Sequence, residues 1–184
     1  MSRPLLYLDV DGPLNPWAAN PERRPAGYTT HRMKPDNWIA LHAGAPPDAV
    51  PTLRVRLNPA HGPRLLELSS LYDLVWATTW GEDANVHIAP VLGLPHLPVV
   101  AWPALFGEGE EGTYWKTSHL IAHAAGRPFA WVDDEVGEAD RAFVAGQHDA
   151  PALLRHVDPR VGLREEDFTA LDAFARALGP DHTG

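Results

Sequence analysis

Cysteine is absent from this 184-residue chain. That excludes disulfide scaffolds, thiolate-bound zinc and thiol catalysis. Positive charge is scarce: 15 lysines and arginines against 24 acidic residues give a formal net charge of −9. There is no basic run, so an extensive nucleic-acid-binding surface is not expected. An acidic protein that handles a phosphorylated substrate then needs a local cation. Long apolar runs are missing too. No uncharged stretch approaches the roughly 20 residues of a membrane span, and the apolar stretch ending at Asp9 is too short for a secretory signal. The expectation is a soluble, cytoplasmic protein with no membrane partner. Proline is plentiful, at 19 residues, but the prolines are scattered between apolar segments, which marks short, sharp connections rather than disorder. A chain of this length typically buries roughly 70% of its unfolded surface, so residues 1–184 are read as a single domain.

Short apolar runs alternate with helical patterns. Strands are expected at Leu5–Leu8, Leu74–Ala77, Leu97–Ala101, Phe129–Val132 and Leu153–Val157. Between them, helical spacing is read over Pro63–Leu71, Glu82–Leu92, Tyr114–Ala125, Glu138–Ala145 and Arg164–Leu178, with glycines 93, 126, 146 and 179 as stops. Strand–helix alternation with continuous apolar strands predicts an α/β, Rossmann-like three-layer sandwich around a five-stranded parallel sheet. The stretch from Asn15 to Asn58 breaks the rhythm. Its weakly alternating segments, 28–33 and 52–57, suggest a small β-hairpin flap beside the first strand, or else an irregular proline-rich loop.

Three expected strands run into polar residues: Asp9-Val10-Asp11-Gly12, Thr78-Thr79, and Asp133-Asp134-Glu135. Ligands of open parallel sheets bind outside the carboxyl ends of the strands, so these termini should converge, with Lys116 within reach. Two carboxylates about 4 Å apart repel by roughly 4 kcal/mol at an effective dielectric near 20. Several in one crevice call for a shared proton or a hard divalent cation, and magnesium suits a site that also holds phosphate. Gly12 permits a turn that carries the Asp11 carbonyl toward the ion and its side chain toward the substrate. Asp and Gly also close strands merely as turn formers. An EF-hand is excluded, because Leu14 and Asn20 stand where Gly and Glu are required. A metal-dependent glycosyltransferase leaves Thr78, Lys116 and Asp134 unexplained, and a receiver domain needs its acidic pair before its lysine.

The ordered set DVDGPLN, DLVWAT, Lys116 and WVDDE resembles the haloacid-dehalogenase-like (HAD) hydrolase superfamily of aspartate-nucleophile phosphatases. The segments LNPAHG and ATTWGEDAN look like a small bacterial branch related to domains fused to RNA-repair enzymes. The resemblance implies that Asp9 is the nucleophile and Asp11 the acid/base. It implies that Thr78, Thr79, Lys116 and Gly12 bind the phosphoryl group, and that Mg2+ is held by Asp9, Asp11, Asp133 and Asp134, with Asp134 favoured over Asp133 as direct ligand. Pro13 departs from the superfamily pattern and removes a backbone N–H after the acid/base.

No large cap fits between Thr79 and Lys116, so an open crevice is expected. The expected partner is a phosphorylated small molecule or a nucleic-acid end; no oligomeric state is indicated. Trp17, Trp80 and Trp115 lie next to motifs and could stack a base or simply pack, whereas Trp76 and Trp131 read as core. Arg23, Arg24, Arg32 and Lys34 read as a solvated basic loop or an anion attractor. His119 and His123 stand one helical turn apart without a third ligand and read as helix surface. The competing functions are a catalytically silent phosphate- or phosphoprotein-binding module on the same fold, prompted by Pro13, and a phosphotransferase.

Overall fold

The computed structural model describes residues 3–103, 107 and 109–179. Leu5–Leu8 (β1) is buried along its whole length, because both of its faces find apolar partners. Thr29–Met33 (β2), the short helix Asp36–Leu41 (α1) and Leu53–Leu57 (β3) form the insertion, and β2 and β3 pair antiparallel with Met33 opposite Leu53 and Thr29 opposite Leu57. Of the two readings of this stretch, the hairpin is the one found; α1 has no counterpart in the sequence reading.

Helix His61–Leu68 (α2) leads to β4 (Asp73–Trp76), followed by a π-helical turn at Ala84–Ile88 and the short α3 (Ala89–Leu92). The helix expected over Glu82–Leu92 is thus interrupted, since Pro90 cannot donate an i→i−4 bond. It does stop at Gly93, whose φ of 69° gives the left-handed cap. Then come α4 (Thr117–Ala124), β5 (Phe129–Asp133), α5 (Glu138–Gln147), β6 (Ala152–His156) and α6 (Glu165–Ala177). Gly146 does not end α5, which continues to Gln147.

The main sheet is parallel and four-stranded among the described residues, in the order β4-β1-β5-β6. The five-strand expectation is corrected at 97–101. That segment lies beside β4 through a single bridge, Trp76 with Val99, and two backbone bonds, Trp76 N–H to Pro98 and Val100 N–H to Trp76. Pro95 and Pro98 have no N–H to extend the ladder.

Alternation along the strands separates two cores. Leu6, Leu8, Trp76 and Val132 face one side, with Leu65 of α2, Ile88, and Phe168 and Leu171 of α6. Leu5, Tyr7, Val75 and Trp131 face the other, with Leu120 of α4 and Val144 of α5. The hairpin joins the first core through Met33, Val55 and Leu57. No helix among the described residues is long and apolar enough to cross a membrane. The interval between Thr79 and Lys116 holds the π turn, α3 and a 3-10 turn at Glu110–Gly112; the part of the no-cap expectation that falls on 104–106 and 108 lies outside the described residues.

Candidate active site

Register brings the strand ends together. Leu8 pairs with Trp76 on one side and Val132 on the other, so the residues that follow β1, β4 and β5 emerge at one edge. Asp9 keeps its place in the ladder, its N–H donating to the Val132 carbonyl at 3.1 Å. Carboxylate oxygens of Asp9, Asp133 and Asp134 lie within 4.8 Å of one another.

Lys116 is the cation at this cluster. Its Nζ lies 3.0 Å from Asp9 Oδ2 and 2.8 Å from Asp133 Oδ2, and it is 1% exposed. Burial pulls its pKa down, but the charges of Asp9 and Asp133 outweigh burial and hold it above the usual lysine value. The turn bearing Lys116 is clamped from behind by buried Asp140, whose Oδ1 accepts from Tyr114 N–H at 2.7 Å and from Thr117 Oγ1 at 2.5 Å. Asp140 also accepts from Gly137 N–H at 2.7 Å, at the start of α5. Sequence reading missed this residue; the Gly137-to-Asp140 spacing, three residues at a helix start, is the signal that marks it.

Asp133 is fully buried and held on both oxygens. Oδ2 accepts from Lys116 and from the Trp131 indole at 3.2 Å, and Oδ1 accepts from Glu135 N–H at 3.0 Å. Burial and the Asp9 charge push its pKa up, against the pull of Lys116. Asp134 is half-buried, and its Oδ2 takes the Trp17 indole N–H at 3.1 Å. Burial raises its pKa to about 6 despite that bond.

Asp11 stands outside the three-carboxylate group. Asn15 Nδ2 donates to its Oδ1 at 2.7 Å and Trp80 Nε1 to its Oδ2 at 2.9 Å. Burial, then the Asp9 charge, raises its pKa, so the protonated form is favoured relative to a free carboxyl. The side chain of Asp11 therefore does not join the metal-competent cluster. The loop between them turns at Gly12, with φ of 91°, and closes through Gly12 N–H to Asn15 O and Leu14 N–H to Val10 O. Pro13 lies between these bonds and offers its carbonyl to Leu163 N–H at 2.8 Å, so its missing N–H breaks no bond of this turn.

Thr78 follows β4 fully buried, its Oγ1 accepting from Trp80 N–H at 3.3 Å, and its carbonyl takes the Trp102 indole at 3.0 Å. The neighbouring Thr79 offers its carbonyl to Asn37 of α1 at 3.1 Å. Asn15 is a second residue missed from sequence. It holds Asp11 with its amide and accepts Arg56 N–H of β3 at 3.0 Å, which ties the hairpin to the acid/base candidate. Trp115 packs edge-on against Trp102, its ring centroid 5.9 Å from Lys116 Nζ, and His123 bonds the Tyr7 hydroxyl at 2.7 Å; neither His119 nor His123 belongs to a metal-competent cluster among the described residues.

Three carboxylates this close repel by roughly 3 kcal/mol per pair at an effective dielectric near 20, and Lys116 supplies only one compensating charge. The remaining negative charge and the all-oxygen donor set fit a hard divalent ion such as magnesium.

A four-stranded parallel sheet with acidic residues gathered after its central strands, an insertion after β1 and a buried lysine at the same edge define a HAD-type hydrolase domain. The chain belongs to the family described as the HAD domain in Swiss Army Knife RNA repair proteins, which matches residues 5–168. No curated protein and no solved structure matches it.

Proposed function

We propose that this domain is a magnesium-dependent phosphatase that cleaves a phosphomonoester through an aspartyl-phosphate on Asp9. The supporting observation is the gathering of Asp9, Asp133 and Asp134 within 4.8 Å around buried Lys116. Asp9 and Asp134 would hold the ion; Asp133, saturated by Lys116, Trp131 and Glu135, serves to fix the lysine. Bound magnesium supplies positive charge that neutralises the phosphoryl oxygens.

In this reading the Asp9 carboxylate attacks phosphorus as the bond from phosphorus to the ester oxygen breaks. Asp11 gives its proton to the departing oxygen, then takes one from the water that attacks the aspartyl-phosphate and frees both Asp9 and phosphate. The raised pKa of Asp11 suits the first step, because the group must carry its proton when substrate arrives. Thr78 and Thr79, with the charge of Lys116, bind phosphoryl oxygens and stabilise the charge that spreads over them in the transition state; the Gly12 N–H, expected to share this role, is already given to the Asn15 carbonyl. The substrate is a phosphorylated small molecule, a nucleotide or a nucleic-acid terminal phosphate.

Phosphate release from an aryl phosphate should require magnesium, stop with EDTA and fall by at least about 10³-fold in Asp9→Asn, consistent with loss of a covalent nucleophile. Normal turnover in that variant would remove the nucleophile assignment. Phosphate binding without release would instead favour the silent binding module, and diversion of product to added alcohols a phosphotransferase.

A further inference from the structure

Positive charge is segregated in this molecule. Arg3, Lys116 and the arginines from Arg64 onward all reach a carboxylate. The basic residues of the insertion, Arg23, Arg24, Arg32, Lys34, Arg54 and Arg56, form no ion pair among the described residues. Lys34 is held by the Pro47 and Asp48 carbonyls, and two of the others are set directly against each other. Arg32 is the cross-strand partner of Arg54, an arrangement that costs stability because like charges sit directly opposite. Alternation puts Arg32, Arg54 and Arg56 on the hairpin face away from Met33, Val55 and Leu57, which are in the core. Burial and the charges of Arg24 and Arg54 together pull Arg56 below its ordinary pKa. A protein with net charge −9 thus leaves its unneutralised cations, among the described residues, in the insertion, with Arg32, Arg54 and Arg56 on its hairpin.

That hairpin borders a cleft of about 670 Å³ that runs from Asp11 to Arg54, walled by Trp17, Trp38, Trp80 and Leu41. Each indole N–H is already engaged: Trp17 with Asp134, Trp80 with Asp11, and Trp38 with the Pro51 carbonyl at 2.7 Å. What the rings offer a ligand is their apolar faces. Trp17 and Leu41 are 58% and 78% exposed, among the few large apolar side chains open to solvent. Exposed aromatic surface beside a polar site marks a place where a flat, apolar group binds.

The inference rests on the proposed chemistry in one respect. Asp11 protonates the departing oxygen, so the leaving group lies on the Asp11 side, which is this cleft. We infer that the insertion selects a phosphomonoester at the end of a nucleic-acid strand, with the terminal base against the tryptophans and the neighbouring phosphodiester on Arg32, Arg54 and Arg56. A sugar phosphate leaves the aromatic walls unused, and a mononucleotide leaves the arginines unused.

The test compares phosphate release, with magnesium, from ribose 5-phosphate, a mononucleotide, a phosphoserine peptide and short single strands phosphorylated at the 3′ or the 5′ end. One or both strands should be processed at least about tenfold better than the mononucleotide, and the mononucleotide better than ribose phosphate, because stacking and phosphate contacts add in turn. Trp38→Ala should lower kcat/KM about tenfold on strand and mononucleotide alike. The pair Arg54→Glu and Arg56→Glu should act on the strand alone and reduce the slope of log affinity against log salt by about 2; Arg54→Gln with Arg56→Gln guards against misfolding. Binding of a hydroxyl-ended strand, read by tryptophan fluorescence, is the arm that needs no turnover. If no substrate releases phosphate yet strand binding is present and lost in the arginine variants, the catalytic reading fails and strand recognition by the insertion stands. Equal rates on ribose phosphate and strand, preference for the phosphopeptide, or strand binding indifferent to both arginine pairs would overturn the inference.

Discussion

Gly12 is where the acid/base loop and the acidic cluster meet, and a single methyl group there tests how tightly they are fitted. A Cβ at this position would fall 2.4 Å from Asp134 Cγ and 2.6 Å from its Cβ, so the whole Asp134 side chain would have to move. The backbone itself sits at φ of 91°, a conformation that side-chain-bearing residues rarely adopt. Gly12→Ala should therefore destabilise the fold by about 1–3 kcal/mol and weaken magnesium binding by about tenfold or more, through displacement of Asp134. Denaturant titration and calorimetric titration with magnesium read the two effects separately; unchanged metal affinity would detach Asp134 from the metal site. At this scale much of the site was legible, because acidic and hydroxyl residues placed after apolar strands declare themselves in the sequence. Asn15, Asp140 and the hydrogen-bonding roles of Trp17 and Trp80 did not. The tryptophans' partners are distant in the chain (Trp80 reaches back to Asp11, Trp17 forward to Asp134), and no local pattern encodes such contacts, whereas Asp140 is marked locally by its spacing from Gly137.

The insertion hairpin is bound to the sheet domain by two kinds of contact: apolar burial of Met33, Val55 and Leu57, and the polar link from Arg56 N–H through Asn15 to Asp11. Asn15 is buried, so its removal leaves a backbone donor and a carboxylate oxygen with one partner fewer, at about 1–3 kcal/mol. Asn15→Ala should accordingly speed hydrogen exchange at amides of 29–33 and 53–57 by about tenfold or more, while β1 and β5 amides keep their protection. Uniform acceleration across both sheets would show that the hairpin is not a separate unit joined at this point. The elements themselves were readable in proportion to their apolar continuity. Leu5–Leu8 was expected and found with the same limits, and the hairpin segments to within one residue. The fifth strand was misjudged because apolar spacing was given more weight than Pro95 and Pro98, which withdraw the donors it needs; the helix over 82–92 was found, π-helical ahead of Pro90 and α-helical after it. Helix α1 escaped notice because it buries none of its side chains, and so has no apolar stripe to read.

Across the whole molecule, insertion, helices and loops lock together at His61, a residue to which the sequence assigned no role. It opens α2, its ring packs edge-on against Tyr28 ahead of β2 and tilts against Phe168 of α6, each with centroids 5.6 Å apart, and Asn58 Nδ2 lies 3.4 Å from its Nε2. Burial lowers its pKa from 6.5 to about 4, only partly offset by the Leu163 backbone and the Asp167 charge. Between those values the unfolded chain binds a proton that the native chain refuses, so stability rises with pH through the window and is lost as pH falls from about 6.5 toward 4. The full loss is about 3 kcal/mol, at 1.36 kcal/mol for each unit of pKa difference. Asp11 and Asp134 act in the opposite sense. Their native pKa values are raised, that of Asp134 to about 6, so the native state holds protons that the unfolded chain releases and gains stability as pH falls. The wild-type curve alone mixes the two signs, and the informative quantity is the difference from His61→Phe, which keeps a ring against Tyr28 and Phe168 but cannot titrate. Urea midpoints of the two proteins should lie closest together near pH 7.5 or differ in favour of wild type there, and the wild type should lose ground steadily to the variant down to about pH 4. A difference that stays constant with pH would place the ring in water in the folded state and undo the packing of Tyr28, α2 and α6 around it.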